Sequence, residues 1–528
     1  MVSFLARLRG AALRSPLEAT LVVAALAVTL QVIVSPLAAS RYVPMTDLPF
    51  HVAQGAAIRH YWDPAYHFHE QFVLRPLAIP YMAINSLVAL AMLVFSPLIA
   101  TKVALAVLLM MVPGGLAVLF HGAKKSPLLG LLGLGLCWGN LTHWGFVNYV
   151  AALGLFSGVI GVTLLVLDRP TRGRRLALAL ALVALFFTHI FRFPFGVCAV
   201  LGTAVVMYPA TRRLRPVLLP LLPSLLLFVL WLKFRPPSLD GKLDLGFHPE
   251  RFPKEWRDAL TEGFTDDGVK RRLMMYFDVI WGVTGVCAAF ALRQWRRGLR
   301  RFTAWDVGVT LVPLACAAVF LGLFLSMPMW LGRWWYVYPR EATAATIILC
   351  GACPDLPRVP WARVSLVAAM ALAAIRVGTE VTAHYADFGP PTEDFYTITR
   401  QIPQAPKLFY MIFDHSGTRR SPASTPFLHL PAYVQAEKGG WLSWHVAIWN
   451  CCPIYYRDLA EPGTVVVPRT PPRWEWTPQQ FNLSMTPFFD WFLVRKPTSP
   501  DAMFAGDPTI KRVDHVGMWW LYKRVPKG

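Results

Sequence analysis

The sequence predicts an α-helical polytopic membrane protein of about eleven spans, followed by a C-terminal extracytoplasmic α/β domain. Three observations carry that expectation. Of 528 residues, 55% are hydrophobic and only 15% charged, and the mean hydropathy of +0.45 is too apolar for a water-soluble chain of this length. Apolar runs of roughly 17 to 25 residues recur between positions 17 and 381, separated by short Arg/Lys clusters. From about His384 onward no such run occurs. The net charge of +21 does not imply a nucleic-acid partner, because the basic residues sit in short loops between apolar spans and form no single soluble face.

The first apolar run, 17–39, follows Arg7, Arg9 and Arg14 and ends in small residues, as a cleaved signal peptide would. It is longer than a signal core and many spans follow, so it is read as a retained first span with a cytoplasmic N-terminus. The eight cysteines give no disulfide framework. Most, such as Cys137, Cys198, Cys287 and Cys316, fall inside apolar runs, where a thiol is a small apolar group. Cys350 and Cys353 have CxxC spacing without a second pair, which argues against a metal or redox site, and adjacent Cys451 and Cys452 are placed in an oxidising compartment.

Basic clusters at 124–125, 172–175, 212–215, 293–301 and 358–363 set the direction of the remaining spans. If all face the cytoplasm, two spans must separate neighbours, and the runs 128–142 with 146–167, 176–190 with 194–208, 217–231 with 276–292, and 307–325 with 342–352 supply them. A last span, 364–381, leaves toward the far side. Between 41 and 124 there are two apolar stretches, and only one can cross without inverting every later loop. The run 97–120 is assigned the crossing. The run 77–95, broken by Pro80 and Asn85, is assigned to an amphipathic helix on the outer surface.

The expected organisation is therefore a transmembrane domain, 1–382, with a long first outer loop at 40–96 and a second at 233–275, then an extracytoplasmic soluble domain, 383–528. Strand signals in that domain fall at 463–468, 489–494 and 517–524, separated by Pro and Gly.

The first outer loop opens with Thr46-Asp47-Leu48-Pro49-Phe50-His51. Four residues apart, Asp47 and His51 share a face if a helix begins here, and a carboxylate at the membrane edge can act as general base. The same residues also read as a helix start, with Thr46 or Asp47 capping free amides ahead of Pro49. Downstream stand Gly145-Phe146-Val147-Asn148 and, after the next span, His189.

In these elements, and in its long first outer loop, basic inner loops and soluble outer domain, the chain resembles the class C glycosyltransferases, the multispan enzymes that include protein mannosyltransferases and the lipid A aminoarabinose transferase. It looks closest to uncharacterised bacterial members with an Asp-x-Pro-x-His element. The resemblance implies a GT-C-like fold in a bacterial inner membrane, with Asp47 as catalytic base and His51 beside it. It implies transfer of a sugar from a polyprenyl-phosphate donor to a glycan, lipid or protein acceptor, with membrane lipids around the spans.

Such a donor needs cations at the outer face, and Arg75, Arg192, Arg333 and Arg340 lie on the side where positive-inside bias should deplete them. The bland alternative is that each anchors headgroups or aromatic rings. His143, Asn148, His189 and Tyr336 complete the expected substrate-binding set, against a reading as helix-to-helix hydrogen bonding. Trp441, Trp444, His445 and Trp449 are candidates for stacking on sugar rings or for simple core packing. No metal ligands are assigned and no cofactor is firmly expected. A divalent metal stays open, since the paired Asp of some family members is missing and His67, His69 and Glu70 lack a known metal spacing. The competing classes are a membrane transporter and a non-catalytic envelope assembly protein.

Overall fold

The computed structural model describes residues 15–75, 80–235, 244–261, 267–299, 301–332, 334–417, 425–450, 452–458, 461, 463–471 and 473–526. Its membrane part is built from α1 (Pro16–Ala38), α2 (Leu48–Arg59), α3 (Ala83–Ala91), α4 (Pro97–Gly122), α5 (Val147–Asp168), α6 (Arg172–Thr188), α7 (Phe193–Val206), α8 (Leu218–Phe234), α9 (Asp267–Arg296), α10 (Ala304–Ser326), α11 (Val337–Cys350) and α12 (Pro360–Asp387). Seven of these, α1, α4, α5, α8 with its preceding turn, α9, α10 and α12, are long and apolar enough to cross a bilayer. The other four expected spans fall in the 17-residue α6, the 14-residue α7 and α11, and a 3-10 stretch over Pro127–Trp138.

Helix is the form that satisfies every backbone group within an apolar run. The outward faces stay apolar, as Val22, Val23 and Leu26 on α1 and Leu219, Leu222 and Leu226 on α8 illustrate, which fits lipid as the solvent. Inside, α4 and α5 cross in near backbone contact. A Cβ built on Gly115 would stand 1.9 Å from the Gly154 carbonyl oxygen, and one on Gly161 2.4 Å from that of Val118.

The basic clusters collect at one end of the bundle. Lys124 pairs with Asp168 at 2.8 Å, Arg174 and Arg213 donate to the Leu165 and Leu167 carbonyls, and Lys125 donates to the Cys353 carbonyl. Arg363 joins Glu18 and Ser126 there. Asp47, Trp144, His189 and Arg340 lie toward the opposite end, as the alternation of spans requires.

Within 77–95, residues 77–79 lie outside the described set, and α3 has nine residues, about 14 Å, too short to cross. Ile84, Asn85 and Val88 bury against neighbouring helices. The exposed Leu90, Leu93, Val94 and Phe95 are equally apolar, so its outer side suits lipid better than water.

Helix α12 runs on past Val381 to Asp387 and is followed by α13 (Gly389–Thr399). The described residues form nine strands: β1 (Phe72–Leu74), β2 (Trp330–Leu331), β3 (Trp334–Trp335), β4 (Lys407–Ile412), β5 (Trp441–Leu442), β6 (Ile454–Tyr456), β7 (Trp491–Arg495), β8 (Ile510–Val516) and β9 (Trp519–Arg524), with α14 (Ala432–Lys438) between β4 and β5. Five make a sheet ordered β5-β4-β7-β9-β8, in which β5, β4 and β7 are parallel and β9 is antiparallel to both neighbours. The signals at 489–494 and 517–524 correspond to β7 and β9. The Val run at 463–468 is not a strand. Its Val465 amide is taken by the Glu70 carbonyl of the loop between α2 and α3, and Pro468 interrupts further pairing.

That loop is built onto the C-terminal domain. Strand β1 pairs antiparallel with β6, and the amides of Arg75 and Gly440 donate to the carbonyls of Pro453 and Tyr66. Nearby, the Cys452 thiol donates to the Ile454 carbonyl, while Cys451 lies outside the described residues.

Candidate active site

Asp47 stands where three parts of the chain meet. The amides of Thr46 and Asp47 donate to the carbonyls of His143 and Trp144, each at 3.1 Å. This lays Asp47 on Gly145, the glycine of the Gly-Phe-Val-Asn element, whose φ of +90° is open to glycine and strained for other residues. Asp47 takes the N-cap position of α2, yet its side chain caps nothing. Its φ of −88° and ψ of −10° are helical, whereas a capping residue is extended so that its oxygen can fold back. The Thr46 hydroxyl is likewise occupied elsewhere, 3.3 Å from that of Thr425. The Asp47 carboxylate, 39% exposed, therefore lines a cavity of about 330 Å³.

Four other expected site residues bear on that cavity or its wall. One turn along α2, His51 donates through Nδ1 to Asn85 Oδ1 at 3.2 Å, and Asn85 donates to Gln54 at 2.8 Å. Burial pushes the His51 imidazole below its ordinary pKa, with the Asp47 charge opposing, so the ring is neutral at physiological pH. Asn148 accepts from the Ile84 amide at 3.0 Å and so fixes the start of α3. His189 lies between the rings of Tyr81 and Tyr149, 4.8 and 5.1 Å away, and its buried Nδ1 has no hydrogen-bond partner among the described residues. Arg340 covers the Phe146 ring at 4.2 Å and donates to the Trp335 carbonyl at 2.9 Å, while its buried Nε has no partner among the described residues. All of these, with Asp47, line the one cavity.

The rest stand apart from it. Arg192 forms a two-pronged ion pair with Glu341, one arm at 2.8 Å, with both side chains buried, so its charge is already neutralised. Tyr336 accepts from Asn140 at 2.6 Å, and His143 packs edge-on against His384 and Tyr385. Arg75 is exposed over the Tyr455 ring, and Arg333 lies outside the described residues. His67 and Glu70 contact each other at 2.6 Å, and no group of three or more His, Cys, Asp or Glu placed to hold a metal occurs among the described residues.

The C-terminal domain supplies the groups that sequence reasoning missed. His429 presents Nδ1 3.1 Å from the Thr46 carbonyl and 3.4 Å from Asp47 Oδ1, its ring stacked on Trp444. Glu475, between Trp474 and Trp476, brings a second carboxyl to the wall. Its Oε2 has no partner among the described residues, and burial holds it above the usual carboxylate range. A charged residue between two tryptophans was the available signal. Of the four candidate stacking residues, Trp444 and Trp449 line the cavity; Trp441 packs on His67, and His445, pushed down to about 3 by burial, accepts from the Ala447 amide.

The arrangement places a carboxylate base, a guanidinium with unspent hydrogen-bonding capacity, and flat aromatic walls from Trp144, Trp334, Trp335 and Trp476 around one volume. Such a set can take a proton, neutralise an anionic leaving group and stack on an apolar ring face. No family model matches the sequence, and no curated protein matches it. The fold is similar to the crystal structure of ArnT from Cupriavidus metallidurans bound to undecaprenyl phosphate, with a TM-score of 0.52 and 14% identity over 96% of this chain and 98% of that one. This chain thus has an ArnT-like, GT-C-like polytopic membrane fold.

Proposed function

We propose that the chain is an inner-membrane glycosyltransferase that moves a sugar from a polyprenyl-phosphate donor to a cell-surface acceptor, with the N-terminus cytoplasmic and the cavity and C-terminal domain outside. One observation carries this reading: the Asp47 carboxylate, free of any capping duty, shares a cavity with the Arg340 guanidinium. Asp47 takes the proton of an acceptor hydroxyl or amine, the acceptor attacks the anomeric carbon, and the bond from that carbon to the phosphate oxygen breaks. The polyprenyl phosphate leaves with the electron pair, and Arg340 meets its charge. The aromatic walls hold the sugar by its apolar face. The undecaprenyl phosphate in the ArnT structure supports this donor class. The basic clusters at the far end of the bundle support the orientation.

The test is genetic complementation with a chemical readout. A deletion strain is complemented with the wild-type chain or Asp47→Asn, and its surface glycans and glycolipids are profiled. The variant, at normal abundance, is expected to leave the profile as it is in the deletion strain. Unaltered profiles in both strains overturn the transferase reading. Solute uptake that depends on the chain but not on Asp47 supports transport instead.

A further inference from the structure

We infer that His429, carried by the C-terminal domain, is the positioning residue for Asp47, so that the catalytic carboxylate is completed only when that domain is seated. The inference rests on the reading of Asp47 as the base. Its ground is the geometry around His429 Nδ1, which faces the Thr46 carbonyl at 3.1 Å and Asp47 Oδ1 at 3.4 Å. The Thr46 carbonyl can only accept, so Nδ1 carries the proton and donates to it, with Asp47 Oδ1 in close contact beside that N–H. One carboxylate oxygen thereby faces the N–H edge of the ring, and the other is left for the acceptor.

The alternative for an aspartate at a helix start is to turn back and cap the free amides of the first turn. Here Oδ1 lies against a ring that cannot follow such a turn. His429 is stacked on Trp444 with ring centres 5.5 Å apart and 17° between planes, and Phe50 stands against it at 4.7 Å. Trp444 stands two residues beyond the end of β5, and α14, three residues beyond His429, seats the domain against α2. The imidazole is thus fixed by the C-terminal domain while its donor is spent on the first outer loop. Histidine suits the task because Nδ1 projects sideways from the ring while the rest of the ring packs against Trp444 and Phe50, which also contact each other at 5.1 Å.

Substitution can separate this role from a structural one. In His429→Asn the side-chain amide nitrogen falls near the place of Nδ1, and in His429→Gln near that of Nε2. The deletion strain is complemented with the full-length chain carrying His429→Asn, His429→Gln, His429→Ala or Asp47→Asn, and the glycan or glycolipid lost in the deletion is quantified at matched abundance and melting temperature. His429→Asn is expected to keep most of the product, while His429→Gln and His429→Ala lose it by up to about 100-fold, as for a misplaced catalytic group. If Asp47→Asn abolishes the product but His429→Gln matches wild type, the inference is overturned and the transferase reading stands. Equal losses in His429→Asn and His429→Gln also overturn it, since Nδ1 then carries no special role. A normal product level in Asp47→Asn overturns the underlying reading and this inference together.

Discussion

Gly145 presses its Cα against the backbone of Asp47: a Cβ built on it would lie 2.9 Å from the Asp47 amide nitrogen and 3.0 Å from the Asp47 Cβ. The contact exists because Thr46 and Asp47 are hydrogen-bonded to the two residues just before this glycine, and because φ there is +90°. Gly145→Ala therefore meets two penalties. The left-handed backbone costs an L-residue about 1–2 kcal/mol, and relief of the clash requires residues 46 and 47 to move. The variant is expected to melt at a lower temperature and to lose the Asp47-dependent product. Gly173→Ala, whose added methyl meets open space on a helix, serves as control and should change neither measurement.

Arg192 and Arg340 lie on the same side of the bundle but differ in what they hold. Arg192 spends its guanidinium on the buried Glu341, so Arg192→Met leaves a carboxylate buried and unpaired, at a cost of about 3–5 kcal/mol. Thermal unfolding in detergent should show a large drop for that variant and a smaller one for Arg192→Met combined with Glu341→Met. Arg340→Met should unfold much nearer to wild type while losing product. If Arg192→Met keeps its stability and loses only product, the arginine belongs to the donor site after all.

The sequence made the local parts of this site legible. Asp47 and His51 fall on one helical face by spacing alone, and the alternation of spans with basic clusters brings Asn148, His189 and Arg340 to the same end. Longer-range pairings were not legible. Glu341 is adjacent to Arg340 in sequence but pairs with Arg192, 149 positions away, and no local pattern tells which arginine it serves. His429 and Glu475 sit in a turn and a three-residue 3-10 segment without periodicity, so only tertiary packing brings them to the cavity. The Val run at 463–468 had strand composition, but its backbone partner is a loop that composition does not reveal.

Glu475 gives the site a pH signature. Desolvation raises its carboxyl above the ordinary value, and Asp47 adds to that while His429 and Arg473 oppose it. The folded chain therefore holds this proton more tightly than the unfolded chain does. The resulting stabilisation is complete below the ordinary glutamate range, about 4.3, and is lost as pH rises through the raised value. Glu475→Gln stays neutral throughout. Its melting temperature relative to wild type should be flat at low pH, climb across that window, and level off above it. A difference that stays constant with pH would show that Glu475 ionises as an ordinary carboxylate.

The direction of the spans can be tested on the two ends of the bundle separately. Trp62, 77% exposed, lies in the same inter-span loop as Asp47, and the Lys124 side chain, 57% exposed, lies among the basic residues at the opposite end. In cells with a permeabilised outer membrane, a maleimide that cannot cross the inner membrane is expected to label Trp62→Cys above the wild-type background. Lys124→Cys should label only after the inner membrane is breached. The reverse pattern would put Asp47 in the cytoplasm, away from a cell-surface acceptor, and the arginines at 172–175, 212–215 and 358–363 outside, against the bias that loop charge imposes on membrane insertion.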